Sequence, residues 1–371
     1  MNKLMREMLK ATGLTRRGSL IDATRLIQRA LGIETYRPSQ SQSYKTGTLL
    51  LTEPDGEPIT VEAAQVATPI PTVLKSRPSG FAKHDFVYAN EQYAYRLYVP
   101  ASSESASSLL PVVVMLHGCK QDAADFASGT SMNALAEQKK CLVVYPEQRT
   151  KANGMRCWNW FEPAHQKRDS GEPGMVAALI GEVLANLANT ADPTRVYICG
   201  LSAGGAMAAL IANLYPELFA AVGVHSGLPS GAASDAMSAF KAMRSGAPRG
   251  AMPSKSDNAM PTIVFHGGAD KTVYPVNGDD VVNAALNTLS ASGVLLEKLP
   301  TVEGVVAGRP SRRRTHRTIY RAANGKSYVE YWTIQSGPHA WSGGSATGSY
   351  TDPQGPDASC AMLEFFLQHH K

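Results

Sequence analysis

The chain has 371 residues, 43% of them hydrophobic and 18% charged, the composition of an ordinary soluble globular protein with room for one large domain and additions. No segment approaches the roughly 20 uninterrupted apolar residues of a membrane span, which excludes an integral membrane protein. The formal net charge of +5 is spread along the length, with basic clusters at the N-terminus and over residues 309–317 that read as solvated segments, so no nucleic-acid partner is expected.

In chain order, residues 3–31 interleave Leu4, Met5, Met8, Leu9, Ile21, Leu26, Ile27 and Leu31 with lysines and arginines, which predicts one or two basic amphipathic helices broken near Gly13 and Gly18. Such an arm either packs on the domain, the favoured reading because short basic amphipathic helices are common, or touches a membrane or storage granule through residues 1–35. Residues 1–32 contain no compact apolar run followed by a small-residue cleavage site, so a standard secretory signal is not expected and the cytoplasm is favoured. Residues 38–80 turn to Ser, Thr, Gln, Pro and Gly without a sustained period, a linker-like composition. The chain therefore divides into an extension, residues 1–80, and a main domain, residues 81–371.

The main domain opens with an alternating run, Tyr93, Tyr95, Leu97 and Val99, that suits an antiparallel strand. Residues 111–116 form a β-branched stretch of the kind buried on both faces of a sheet. A polar loop, a helix over 131–140 and a strand over 141–145 follow. Further on come a helix over 174–188, a strand over 195–199, a helix to about residue 214, and strands over 220–224 and 262–266. Helices are predicted over 232–243, 279–290 and 357–368, and a hairpin over 319–334 turns at Asn324 and Gly325. Strands alternating with helices predict an α/β fold with a mostly parallel central sheet and helices on both faces.

Between the strand over 195–199 and its helix lies Gly200-Leu201-Ser202-Ala203-Gly204, a Gly-x-Ser-x-Gly turn. A sharp strand-to-helix turn leaves no room for β-carbons beside the serine and holds its Oγ out at the sheet edge, the pattern of a nucleophile elbow. A serine hydroxyl needs a base within hydrogen-bond reach and an acid to orient it. Asp270, leaving the strand over 262–266, and His339, leaving the last strand, supply them in the order serine, acid, histidine. Rivals are weaker: Asp279 and Asp280 suit a helix N-cap, His225 and His266 suit local packing, and His84, His165, His316, His369 and His370 are expected in loops or the tail. The Ala203 N–H and one from Gly118 or Cys119 are the candidate oxyanion donors. Trp158, Trp160, Tyr274 and Trp341 fall in loops at the same edge as candidate pocket aromatics. Five cysteines without metal-type spacing predict no metal site, and neither a metal nor an organic cofactor is expected. Cys141 and Cys199 read as core residues, and Cys119 with Cys157 as free thiols or a disulfide.

Six stretches in order, around His117-Gly118-Cys119, Tyr145-Pro146-Glu147-Gln148, Cys157-Trp158-Asn159-Trp160-Phe161, Gly200 to Met207, His266-Gly267 with Asp270, and His339-Ala340-Trp341-Ser342-Gly343-Gly344, resemble the poly(3-hydroxybutyrate) depolymerase family of esterases. The resemblance spans residues 81–368. It implies an α/β-hydrolase fold and a serine carboxylic-ester hydrolase acting on hydroxyalkanoate polyesters or oligomers, with Ser202 as nucleophile, Asp270 as acid and His339 as base. It also implies a Cys119–Cys157 disulfide, which favours export over the cytoplasm. Relatives in the same broad group cleave feruloyl or acetyl esters on polysaccharides. Many polymer-degrading members carry a signal peptide and a polymer-binding domain, which this chain does not display, so soluble oligomers or short esters are the expected substrates. The competing expectations are a non-catalytic granule-binding protein of the same fold and a serine peptidase.

Overall fold

The structure, a computed structural model, describes residues 79–101, 103, 108–248, 260–304 and 312–371. The amphipathic helices expected over 3–31, the linker up to residue 78 and most of the Gly/Pro/Ser/Lys stretch before Met260 lie outside the described residues.

The described chain begins with a hairpin, β1 (Gly80–Tyr88) and β2 (Glu91–Val99). Its two-residue turn holds Ala89 and Asn90 at φ 49° and 62°, which suits the twist of the flanking strands. A single strand over residues 86–99 is what the pattern predicts; the structure breaks it at this turn and adds β1, which the pattern misses because it exposes most of its positions. β3 (Leu110–Leu116) is buried throughout. The stretch expected as a polar loop after it folds in part as α1 (Ala123–Thr130), started by the Asp122 carboxylate accepting the N–H groups of Ala124 and Asp125. α2 (Met132–Lys139), β4 (Leu142–Glu147), α3 (Gly171–Asn186), β5 (Ala191–Leu201), α4 (Ala203–Leu214) and β6 (Ala221–His225) follow. After them come α5 (Ala236–Ser245), β7 (Thr262–Gly267), α6 (Val276–Ala291), the short β8 (Leu296–Lys298) and β9 (Val302–Glu303), and the hairpin β10 (Thr315–Ala322) and β11 (Ser327–Ile334). A small two-stranded sheet, β12 (Trp341–Ser342) with β13 (Thr351–Asp352), precedes α7 (Ala358–Phe366).

Among the described residues the main sheet runs β1-β2-β4-β3-β5-β6-β7-β11-β10-β8, with β9 also on β10. Pairing is parallel from β4 through β11 and antiparallel at both flanks. Because side chains alternate along a strand, the buried strands feed two cores. Val112, Val114, Ile198, Val224 and Val264 pack with Met175, Ile180, Met207, Ile211 and Val281 of α3, α4 and α6. Val113, Met115, Tyr197, Cys199 and Phe265 pack with Phe126, Met132, Met362 and Phe366 of α1, α2 and α7. Ser202, Asp270 and His339 leave the carboxyl ends of β5, β7 and β11, which brings three distant segments to one sheet edge.

Two local expectations change. Asp279 and Asp280 do not cap α6: Pro275 holds the cap position, and Asp279 lies in the first turn, accepting the Tyr331 hydroxyl at 3.0 Å. His84 and His316 belong to β1 and β10, not to loops. In the basic stretch near residue 313, Arg313 and Arg317 pair with the buried carboxylates of Asp352 and Glu330.

Candidate active site

Ser202 joins β5 to α4 at φ 58° and ψ −121°, a strained combination for a residue with a β-carbon. Its N–H donates to the His225 carbonyl at 2.9 Å. The glycines beside it are required by close approach. A β-carbon on Gly204 would stand 2.1 Å from the Leu116 carbonyl oxygen, and one on Gly200 would stand 2.4 Å from the Gly204 carbonyl carbon. The elbow thus presses its backbone against the end of β3, which sets the His117-Gly118-Cys119 turn beside the serine.

His339 Nε2 lies 2.9 Å from Ser202 Oγ, and its Nδ1 lies 2.7 Å from Asp270 Oδ2. With Nδ1 facing a carboxylate, the ring proton sits on Nδ1 and leaves Nε2 as acceptor for the serine O–H. The other carboxylate oxygen, Oδ1, accepts the N–H groups of Thr272 and Val273 at 2.9 Å each. Burial pushes the Asp270 carboxyl up, but the His339 hydrogen bond and charge and these two donors outweigh it, holding the group below its ordinary value. The acid and base loops are tied directly, Gly268 N–H to Ile334 O at 2.8 Å and Ala269 N–H to Gly337 O at 2.9 Å. Ser202 retains 9% exposure, whereas the Asp270 side chain is fully buried.

Ala203 is the first residue of α4, so its N–H has no intrahelical acceptor and points from the positive end of the helix dipole. Of the two candidates for a second donor, Gly118 is committed elsewhere: its N–H donates to Gln121 Oε1 at 2.9 Å. Cys119 remains. Cys119 and Cys157 form a disulfide, and Lys120 N–H donates to Met155 O at 2.7 Å, joining the turn to the cysteine loop. That loop is anchored on Glu172, in the first turn of α3, which accepts the backbone N–H of Asn159 at 2.7 Å, its side-chain amide at 2.6 Å, and the Gln148 amide. Beneath the turn, His117 Nε2 accepts the Gln148 N–H at 3.1 Å and its carbonyl accepts the Trp158 indole at 3.0 Å. Burial drops the His117 imidazole to about 4, keeping it neutral.

The candidate pocket aromatics separate. Trp158 and Trp341 are fully buried with their N–H groups donated to His117 O and Ser359 Oγ, so they pack beneath the site and present no face to a ligand. Trp160 is nearly buried against Phe161, and Tyr274 stays 42% exposed on the loop after Asp270. Gln121, Gln148 and Glu172, which hold the candidate oxyanion turn, had received no role from sequence. Their signal is weak: polar residues just past buried strands, or in a helix's first turn, near two cysteines.

The Esterase PHB depolymerase family profile matches residues 93–294. The chain belongs to this family. Within its wider similarity, poly(3-hydroxyalkanoate) depolymerase C of Paucimonas lemoignei is 34% identical over 250 residues, covering 64% of this chain and 57% of that protein. Feruloyl esterase B of Neurospora crassa is 29% identical over 194 residues, covering 48% of this chain and 64% of that one. The aligned region thus spans less than two thirds of either relative. An acetyl xylan esterase from Aspergillus awamori superimposes with a TM-score of 0.57 at 18% identity, over 77% of this chain and 98% of that one, which shows the shared α/β-hydrolase fold.

Proposed function

We propose that the chain is a serine carboxylic-ester hydrolase that cleaves short hydroxyalkanoate esters of the poly(3-hydroxybutyrate) type through an acyl-enzyme. The observation that carries this reading is the hydrogen-bond chain Ser202–His339–Asp270, at 2.9 Å and 2.7 Å, next to the first N–H of α4, which has no acceptor within its own helix. His339 Nε2 takes the proton as Ser202 Oγ attacks the ester carbonyl, and Asp270 holds the imidazolium. The oxyanion forms between the N–H groups of Ala203 and Cys119. The alcohol leaves with the proton from His339, and water, activated by the same imidazole, releases the acid and restores Ser202. The substrate class is supported by the named activity of the Paucimonas relative.

Ser202→Ala is expected to lower p-nitrophenyl butyrate hydrolysis by roughly 10⁴-fold or more with an unchanged circular dichroism spectrum. Retained turnover rejects the proposal. A second reading, hydrolysis of feruloyl esters on polysaccharide, is favoured by the Neurospora relative. Comparing kcat/KM for hydroxybutyrate oligomers, feruloyl esters and peptides in one assay separates the substrate classes. Binding to polyester granules with and without residues 1–35 tests the N-terminal arm.

A further inference from the structure

His225 ends β6, the strand that lies between β5, which leads to Ser202, and β7, which leads to Asp270. Its carbonyl accepts the Ser202 N–H at 2.9 Å. Its ring Nε2 accepts the Ser342 N–H at 3.0 Å, three residues beyond His339. A backbone N–H only donates, so Nε2 is bare and the ring proton sits on Nδ1, 3.2 Å from Ser226 Oγ. The imidazole is wholly buried between two aromatic planes, with centroids 5.7 Å from Phe265 and 5.1 Å from Trp341. The neighbouring bonds of that segment, Trp341 N–H to Tyr350 O and Gly343 N–H to Asp352 O, tie it to the chain around β13, whereas the His225 bond ties it to the central sheet.

We propose that His225 is a positioning residue for the hydrolase site, one residue whose backbone holds the nucleophile elbow and whose side chain holds the loop carrying His339, so that the two arrive in register. The proposal rests on the esterase reading of Ser202 and His339. The slot between the two aromatic planes takes a flat ring, and the Ser342 N–H needs an acceptor on that ring's edge. Neutral histidine meets both demands. Burial first, then the nearby His266 and His339, pull its imidazole down to about 3 against the opposing Asp270 carboxylate, so the Nε2 acceptor persists at neutral pH. Phenylalanine would fill the slot but leave the buried Ser342 N–H without a partner, and the loop would shift to find one. A small displacement of His339 relative to Ser202 falls on the chemical step, not on substrate binding.

The test uses full-length His225→Phe and His225→Gln proteins, with competent Ser202 counted by a fluorophosphonate probe taken to completion and turnover measured on p-nitrophenyl butyrate. His225→Phe is expected to keep KM within about two-fold and to lower kcat per titrated site by about 10- to 100-fold. His225→Gln, whose side-chain oxygen can reach the Ser342 N–H, is expected to recover most of that loss. Unchanged kcat per site in the Phe variant, or a Gln variant no better than Phe, overturns the positioning role. If the Phe variant does not fold, the Gln variant decides alone: kcat per site within about three-fold of the parent supports the role, and a loss of about ten-fold or more overturns it. Absence of Ser202-dependent labelling in the unaltered protein would instead overturn the esterase reading.

Discussion

At the scale of single residues, the site depends on which proton sits where. Asp270 is held ionised by His339 and by the N–H groups of Thr272 and Val273, and its charge selects the Nδ1–H tautomer of His339. Asp270→Asn keeps the volume but can present an amide N–H to Nδ1, which favours the tautomer that cannot accept from Ser202. A loss of roughly 10⁴-fold in kcat with the fold retained is the expected result, read by steady-state kinetics and circular dichroism. A loss below ten-fold would mean that the tautomer is not set by Asp270. Gln121 poses a subtler case, since its Oε1 occupies the Gly118 N–H and its Nε2 donates to Asp125 Oδ2 and the Ser349 carbonyl. The side chain thus fixes the His117–Gly118 peptide, and the next peptide, which carries the Cys119 N–H, is held through its Gly118 carbonyl by the Gln121 backbone N–H at 3.3 Å.

At the scale of elements, the elbow works because the start of α4 meets the end of β3 backbone to backbone at Gly204. Gly204 was legible as an elbow glycine from its spacing to Ser202; the atom it makes room for, the Leu116 carbonyl oxygen, was not, because 88 positions separate the two in sequence. Gly204→Ala drives a β-carbon to 2.1 Å from that oxygen. Neither backbone can yield without moving α4 or β3, so a destabilisation of about 4 kcal/mol or more is expected, at the exceptional end for a point substitution. Equilibrium denaturation measures it, and a value near 1 kcal/mol would show that the elbow can relax. Gly205, one residue on, meets its nearest neighbour at 3.0 Å, and an alanine there is expected to cost less.

At the scale of the whole molecule, several histidines are buried and neutral. His117 is lowered to about 4 and His225 to about 3, both chiefly by burial, and His369 to about 4 for the same reason. In the unfolded chain each returns to about 6.5 and binds its proton first. Their contribution to stability is therefore complete above about pH 6.5 and is lost as pH falls toward 4 and 3. Asp270 adds loss in the same direction at lower pH, because its lowered carboxyl must be protonated. His165 opposes the trend: burial pulls it down, but Glu172 raises it overall, so its stabilisation is lost as pH rises. Melting temperature is expected to decline steadily between pH 7 and 4; a flat profile would contradict the burial of these rings as charge-excluding sites.

The order of the motifs, the alternation of strands and helices, and Ser202, Asp270 and His339 as candidates were readable from the sequence, because each depends on rules local to a few residues: a glycine pair around a serine, a buried strand ending in a polar loop, a fixed chain order. The short strands β8 and β9 and the helix α1 were not, since so few residues carry too weak a period. Tertiary structure alone decided that Trp158 and Trp341 lie under the site and that His225 reaches Ser342. Those outcomes turn on side chains meeting partners up to 117 positions away, where one hydrogen bond or one clash selects the answer and no local pattern records it.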